Sequence, residues 1–361
     1  MSVVIAGGGT GGHLMPALAI ADALRSLRPA VDLLLVGAER GIEAAILPNR
    51  SFRYVLLPAE PLYRRQWWKN LRWMVRAPRL YAAARAVLER ERPAVVVGTG
   101  GYAAVPMLLA ARARGVPIVL QEQNAMPGLA TRWFARAARQ VHLGFPEAAA
   151  RFRPGRQTQV FTFGNPVAPH QRRDRDAARR QLGLPAEPPV VFVFGGSQGS
   201  RALNRALAGT LDQRLLDGVA VCWGSGAGEW ETCRAYHRPP WIQVRPFWDP
   251  IGDVYAACDL VVSRAGAMTS AELCAYGRPA ILVPLPTAAA DHQTKNAEAM
   301  AAAGAARVLP EALLTPGRLA DEVRDIVGNR PLAIRMGEAA LRRAAPDAAR
   351  KIAEAVLDLT S

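Results

Sequence analysis

Short apolar runs rich in Val, Ile and Leu recur along the whole chain, each followed by a segment of helical periodicity. "VVIAG", "VDLLLVG", "FRYVLLP", "AVVVGTG" and "PIVLQEQN" occupy the first part. "PVVFVFGG", "VAVCWGSG", "WIQVRPF", "DLVVSRAG", "PAILVPL" and "ARVLP" occupy the second. A run that is apolar at consecutive positions is a strand buried on both faces, and strands alternating with helices build parallel sheets covered by helices. The proline-rich "GNPVAPH" (164–170) interrupts the rhythm and reads as a linker. The expected fold class is therefore α/β, with two doubly wound Rossmann-like domains facing across a cleft. The domains are read as 1–164 and 165–345. Residues 346–361 carry the amphipathic pattern "DAARKIAEAVLDL" with no strand after it, and packing back on the N-terminal domain is one place for that helix.

A chain of 361 residues suits two domains. It contains no stretch of about 20 uncharged apolar residues, the length a membrane-spanning helix needs. Its start runs straight into a strand, without the basic region and cleavage site of a signal peptide. Cys222, Cys233, Cys258 and Cys274 lack metal-ligand spacing and read as small buried hydrophobes in a reducing cytoplasm. The formal charge is +15, and residues 1–164 hold 22 Lys and Arg against 9 Asp and Glu. The rest of the chain is nearly balanced, so a polyanionic surface is expected near the first half: nucleic acid or an anionic membrane.

Three of the predicted strands end in glycine turns: "AGGGTGGH" (6–13), "GTGGYAAVP" (98–106) and "GGSQGS" (195–200). At the carboxyl edge of a parallel sheet such turns let backbone approach a phosphate, and the next helix turns its N–H groups toward the charge. Any one of them is explained as well by a tight strand-to-helix connection. Three in one chain favour a phosphate-handling cleft. Gly7, Gly9 and Gly12 fit G-x-G-x-x-G, yet no acidic residue closes the second strand as a dinucleotide site requires, and Glu39 is the nearest candidate. No Gly-Lys-Ser/Thr follows, which excludes a P-loop. Neither motif accounts for His13. The positive end of its helix favours a neutral imidazole, which makes His13 a candidate general base, although a histidine bonding its own loop is as common. "DRD" at 174–176 precedes a helix rather than following a strand, so Asp174 and Asp176 read as capping residues and no metal or cofactor is expected.

Beyond these local readings, "GGTGGHLMPALAIADAL", "GTGGYAAVPMLLAA", "VLQEQNAMPGLATRWFA", "FGNPV", "FGGSQGSRALN", "SRAGAMTSAELCAYGRPAILVPLP" and "DHQTKNAEAM" resemble, in order and spacing from residue 8 to about 300, the motifs of the MurG family. The resemblance implies a GT-B glycosyltransferase fold with the sugar nucleotide held mainly by the C-terminal domain. It implies inverting transfer of N-acetylglucosamine from UDP-N-acetylglucosamine to the 4-hydroxyl of N-acetylmuramic acid in lipid I, giving lipid II. The partners implied are UDP-N-acetylglucosamine, lipid I and an anionic inner-membrane surface, with no nucleic acid. The location implied is the cytoplasmic face of the cell membrane.

Carried over position by position, the resemblance puts Thr10, Gly11 and Gly12 in the loop facing the donor sugar and diphosphate, with Asn124 on the N-acetylglucosamine. Ser197 takes a diphosphate oxygen. Trp248 stands where the family contacts the uracil edge through its backbone. Ala267, Met268 and Thr269 reach the phosphates from a helix start, Glu272 binds the ribose hydroxyls, and Gln293 reads hydroxyls of the donor sugar. One position departs from the pattern: some members carry a nucleotide-binding arginine where this chain has Ala168, and Arg172 or Arg173 are the nearby substitutes.

A lipid-linked acceptor requires a membrane contact, and "YRRQWWKNLRWMVRAPRL" supplies a candidate. Trp67, Trp68, Leu71 and Trp73 are interleaved there with Lys69 and Arg72, a composition suited to the headgroup level of an anionic leaflet. A core helix with a solvated arginine face is the plainer reading. Three other functions remain at this level. A dinucleotide oxidoreductase leaves the second domain's motifs unexplained. A nucleic-acid binder accounts only for the charge. Another GT-B enzyme acting on a lipid such as diacylglycerol is the nearest alternative.

Overall fold

The computed structural model describes residues 1–60, 72–167 and 174–360, and of residues 72–75 the backbone alone. Trp67, Trp68, Lys69 and Leu71, named above for membrane docking, lie outside the described residues, as do the side chains of Arg72 and Trp73. The positions Ala168, Arg172 and Arg173 lie outside them too. The chain divides into two compact units, Met1–Ala168 with Pro346–Ser361, and Pro169–Ala345. Among the described residues no helix is long and apolar enough to cross a membrane.

The first unit runs β1 (Ser2–Gly7), α1 (Gly11–Leu27), β2 (Asp32–Ala38), α2 (Glu43–Ile46), β3 (Arg53–Leu57), α3 (Arg72–Glu91), β4 (Val95–Gly100), α4 (Ala104–Ala113), β5 (Ile118–Glu122), α5 (Leu129–Phe134), β6 (Gln140–Leu143) and β7 (Gln159–Phe161). Its seven strands are all parallel, in the order β3-β2-β1-β4-β5-β6-β7. The second unit runs α6 (Arg175–Leu182), β8 (Val190–Phe194), α7 (Arg201–Asp212), β9 (Ala220–Gly224), α8 (Trp230–Cys233), β10 (Ile242–Arg245), α9 (Ile251–Ala257), β11 (Leu260–Ser263), α10 (Ala267–Tyr276), β12 (Ala280–Leu282), α11 (His292–Ala302), β13 (Ala306–Val308), α12 (Pro316–Val327) and α13 (Arg330–Arg342). Its parallel order is β10-β9-β8-β11-β12-β13. In each sheet the chain first winds one way and then reverses, between β1 and β4 and between β8 and β11. Ligands of open α/β sheets bind at such reversals, outside the carboxyl ends of the strands.

Burial on both faces explains the unbroken apolar runs. Val3 and Ile5 of β1 pack into one core with Leu14, Leu18, Ile20 and Leu24 of α1, while Val4 and Ala6 pack into the other with Leu80, Ala84 and Met107. The final helix α14 (Ala348–Asp358) belongs to this first unit. Ile352, Ala353, Val356 and Leu357 complete the α1 core, and Gln140 Nε2 donates to the Ala355 carbonyl at 3.0 Å. All four cysteines are buried and free.

β6 and β7 were not among the strands expected from the apolar runs. Gln140 and His142 place two polar residues in a four-residue strand and hide its pattern. Both are buried: His142 Nε2 lies 3.0 Å from Gln140 Oε1, and its ring sits 5.6 Å and 5.2 Å from those of Phe161 and Phe163. Burial pushes the His142 imidazole down to about 4, so it sits neutral in the core.

Because α14 covers α1 with fully buried side chains, Ile352→Ala should destabilise the first unit by about 2–5 kcal/mol. Urea denaturation checks this, and a loss below about 0.5 kcal/mol, the range of surface substitutions, would remove α14 from the core.

Candidate functional site

β1 and β4 pair in step from Val3–Val95 to Ala6–Gly98 and then slip, so that Gly7 pairs with Gly100. The residue passed over is Thr99, fully buried. Its hydroxyl donates to the His13 carbonyl at 2.9 Å. Its own carbonyl lies 3.1 Å from His13 Nδ1 and accepts from Gln123 Nε2 at 2.7 Å. His13 is the third residue of α1 and half-exposed. The second glycine turn closes over the first at Gly101, whose φ is +78°. A Cβ there would lie 1.9 Å from the Gly8 carbonyl oxygen and 3.1 Å from His13 Cδ2, so only glycine permits the contact.

Beneath the first turn lies Glu43, fully buried, whose Oε1 accepts from the Gly9 N–H while Oε2 has no partner. One amide of the turn is therefore occupied from inside the unit, which sequence alone did not reveal. Thr10 and Gly12 are exposed and Gly11 half-exposed at the start of α1, and Thr10 makes no side-chain cap. Asn124 follows β5, partly exposed, and is fixed by a residue absent from the predicted set. Buried Glu122 accepts from Asn124 N and Nδ2 at 3.0 and 3.2 Å, and from Gly128 N and Thr131 Oγ1 at 2.9 and 2.6 Å. Four donors satisfy that carboxylate, so it shapes the loop that carries Asn124.

The second unit repeats the plan. Ser197 is exposed in the turn after β8, and Ser200 caps α7 by accepting from Leu203 N at 3.4 Å. After β11, α10 starts behind Gly266, which offers no capping side chain, at Ala267, Met268 and Thr269. Glu272, one turn on, accepts from Tyr255 Oη at 2.9 Å, and burial pushes its carboxyl up to about 7. Trp248, following β10, is buried with its ring edge-on to Phe192 at 6.1 Å and the Arg245 guanidinium 4.3 Å above it. Gln293 Oε1, in the first turn of α11, accepts from Leu285 N at 2.9 Å. Every predicted residue of this unit thus follows the carboxyl end of a strand.

Two charged groups have plain structural roles. Asp174 caps α6, accepting from Ala177 N at 2.9 Å. Arg264 donates to the Val283 and Pro284 carbonyls at 3.2 Å and pairs with Glu311, which commits it to the interior of its unit.

Two doubly wound parallel units, each with glycine or helix-start turns at its switch point, are the architecture of the GT-B fold. Residues 3–143 match the glycosyltransferase family 28 N-terminal domain, and residues 190–352 match the family 28 C-terminal domain. A Salinibacter ruber protein named UDP-N-acetylglucosamine–N-acetylmuramyl-(pentapeptide) pyrophosphoryl-undecaprenol N-acetylglucosamine transferase is 42% identical over 99% of this chain and 96% of its own. A Moorella thermoacetica protein of the same name is 40% identical over 99% and 98%. The crystal structure of Acinetobacter baumannii MurG superposes with a TM-score of 0.76 at 29% identity, covering 99% of each chain. The kitacinnamycin glycosyltransferase, at 16% identity and a TM-score of 0.71, shares the fold. The chain belongs to glycosyltransferase family 28 and, within it, to the MurG family.

The raised Glu272 carboxyl has a consequence for stability. Between about 4.5 and about 7 the unfolded chain releases this proton while the folded chain keeps it, so folding loses stability as pH rises through that window. Glu272→Gln keeps an acceptor for Tyr255 and removes the charge. Its urea midpoint should exceed the wild-type value at pH 8 and match it at pH 4.5; equal midpoints at both would mean that Glu272 ionises freely.

Proposed function

We propose that the protein transfers N-acetylglucosamine from UDP-N-acetylglucosamine to the 4-hydroxyl of the N-acetylmuramyl residue of a polyprenyl-pyrophosphoryl acceptor, with inversion. The observation that carries this reading is likeness at 40% identity or more over nearly the full length, spanning both units, to proteins named for that reaction. The acceptor oxygen attacks the anomeric carbon from the face opposite UDP as the bond to the diphosphate breaks, through an oxocarbenium-like state. The hydroxyl proton passes to His13 as general base, and UDP leaves with the bonding pair. Ser197 and the first-turn amides of α10 at Ala267, Met268 and Thr269 take the diphosphate charge, as a helix start favours. Glu272 accepts the ribose hydroxyls, Asn124 and Gln293 pair with the sugar, and the backbone at Trp248 meets the uracil edge. Thr10, Gly11 and Gly12 form the loop that faces the donor sugar and diphosphate.

Purified protein given radiolabelled UDP-N-acetylglucosamine and a lipid I analogue should yield a labelled disaccharide lipid, with diacylglycerol left unlabelled. Absence of that product overturns the reading. His13→Gln should lower kcat by about 10²–10⁴-fold at unchanged donor affinity. Glu272→Ala should weaken donor binding by on the order of 2–3 kcal/mol, the worth of charge-assisted hydrogen bonds.

The acceptor's polyprenyl chain calls for work at the cytoplasmic face of the membrane, and we assign the docking contact to the segment holding Trp67, Trp68, Lys69, Leu71, Arg72 and Trp73. Its tryptophans and basic residues, within the half that holds most of the positive charge, support that assignment. Binding to anionic liposomes should weaken with salt and in the Trp67→Ala/Trp68→Ala variant, which should retain activity on a water-soluble short-chain acceptor. Binding indifferent to both salt and the double substitution would locate the contact elsewhere.

A further inference from the structure

Behind His13 lies a line of buried side-chain amides. Gln121 and Gln123 are each 2% exposed and Asn165 is 4% exposed, and together they run from the "GNPV" motif to the "QEQN" motif. An amide can be turned either way round unless its neighbours decide, and here they do. Asn165 Nδ2 donates to the Gln123 backbone carbonyl at 2.9 Å, an acceptor that cannot exchange roles. Asn165 Oδ1 is thereby left to accept from Gln121 Nε2 at 3.1 Å. Gln121 Oε1 in turn accepts from Gln123 Nε2, which also faces the Thr99 carbonyl at 2.7 Å and the Gln121 carbonyl at 3.1 Å. Turning the Gln123 amide over would set an oxygen against three oxygens. Its Oε1 must therefore face His13 Nδ1, at 3.1 Å, beside the Thr99 carbonyl at the same distance.

Two oxygens meeting one ring nitrogen require a hydrogen on it. We infer that Gln123 is the positioning residue for His13, the last member of a one-way amide chain that holds the imidazole as its Nδ1–H tautomer with the lone pair on Nε2. The inference rests on the reading of His13 as the base, because only then does the side of the ring that carries the lone pair matter to the reaction. When Nε2 takes the acceptor's proton, the Nδ1–H already points at two acceptors and the ring need not turn. Without Gln123 Oε1 the Nδ1–H loses one of the two oxygens that fix the flip state and tautomer of the ring.

The first test reads the tautomer of the wild-type ring. In protein labelled with ¹⁵N-histidine, long-range ¹H–¹⁵N correlation spectra should show His13, assigned by its loss in His13→Gln, protonated at Nδ1. An Nε2–H ring in the wild type overturns the inference. Gln123→Met removes the acceptor with a side chain of similar length. It should mix the tautomers and lower kcat by about 10–100-fold, the range seen when the outer partner that orients a metal-bound histidine is lost, with donor KM held within about 2-fold. A Gln123→Met protein with the wild-type tautomer and wild-type kcat overturns the inference as well. The expected tautomer change accompanied by full kcat in His13→Gln supports the chain and overturns the base, so the two failures are told apart.

Discussion

A slip of one residue between two neighbouring strands sets the chemistry of the first unit. In an unbroken parallel ladder the β4 backbone faces its partners in step, but the pairing jumps from Ala6–Gly98 to Gly7–Gly100 and leaves Thr99 over. Such irregularities re-aim groups at the rims of sheets, and this one aims the hydroxyl and the carbonyl of Thr99 at the start of α1. The jump needs glycine opposite it: a Cβ on Gly7 would lie 1.8 Å from Thr99 Oγ1. The glycines that resemble a phosphate-binding signature are thus also what lets two loops and a threonine occupy one small space beneath a histidine.

The groups named for the reaction stand in different polar surroundings in the two units. Beneath His13 the first unit places neutral acceptors, the Thr99 carbonyl and the Gln123 amide, each fixed by further hydrogen bonds. The carboxylate near that turn, Glu43, faces the Gly9 amide. The second unit instead holds a carboxyl at Glu272 under a desolvation load, eased by a single Tyr255 hydroxyl. Ribose hydroxyls would supply the partners whose lack raises it, so donor binding and ionisation of Glu272 favour each other.

Much of this was legible in the sequence because the signals were local. Glycine turns, the histidine at a helix start and the cap at Asp174 each follow from neighbouring residues, and the unbroken apolar runs report strands buried on both faces. What escaped was nonlocal. Gln121 and Gln123 look like the polar end of a strand until Asn165, far along the chain, gives them something to bond. Gln140 and His142 masked β6 because their partners are the Ala355 carbonyl of the last helix and a pair of phenylalanines. Glu122 is not singled out in the sequence, and only its four donors reveal a loop anchor. Arg264 shows the reverse: a cation in a promising motif, taken up by carbonyls and Glu311.

Helix α1 ties these observations together, since a reacting side chain is only as well placed as the element that carries it. Its first turn is held by the Thr99 hydroxyl on the His13 carbonyl, and its apolar stripe is buried on one side by Val3 and Ile5 of β1. The remaining apolar surface is covered by Ile352, Ala353, Val356 and Leu357, which enter the same core from the far end of the chain. Loosening α14 therefore acts on His13 through the packing of α1. The first unit is complete only when the chain, having built the second, returns to close it.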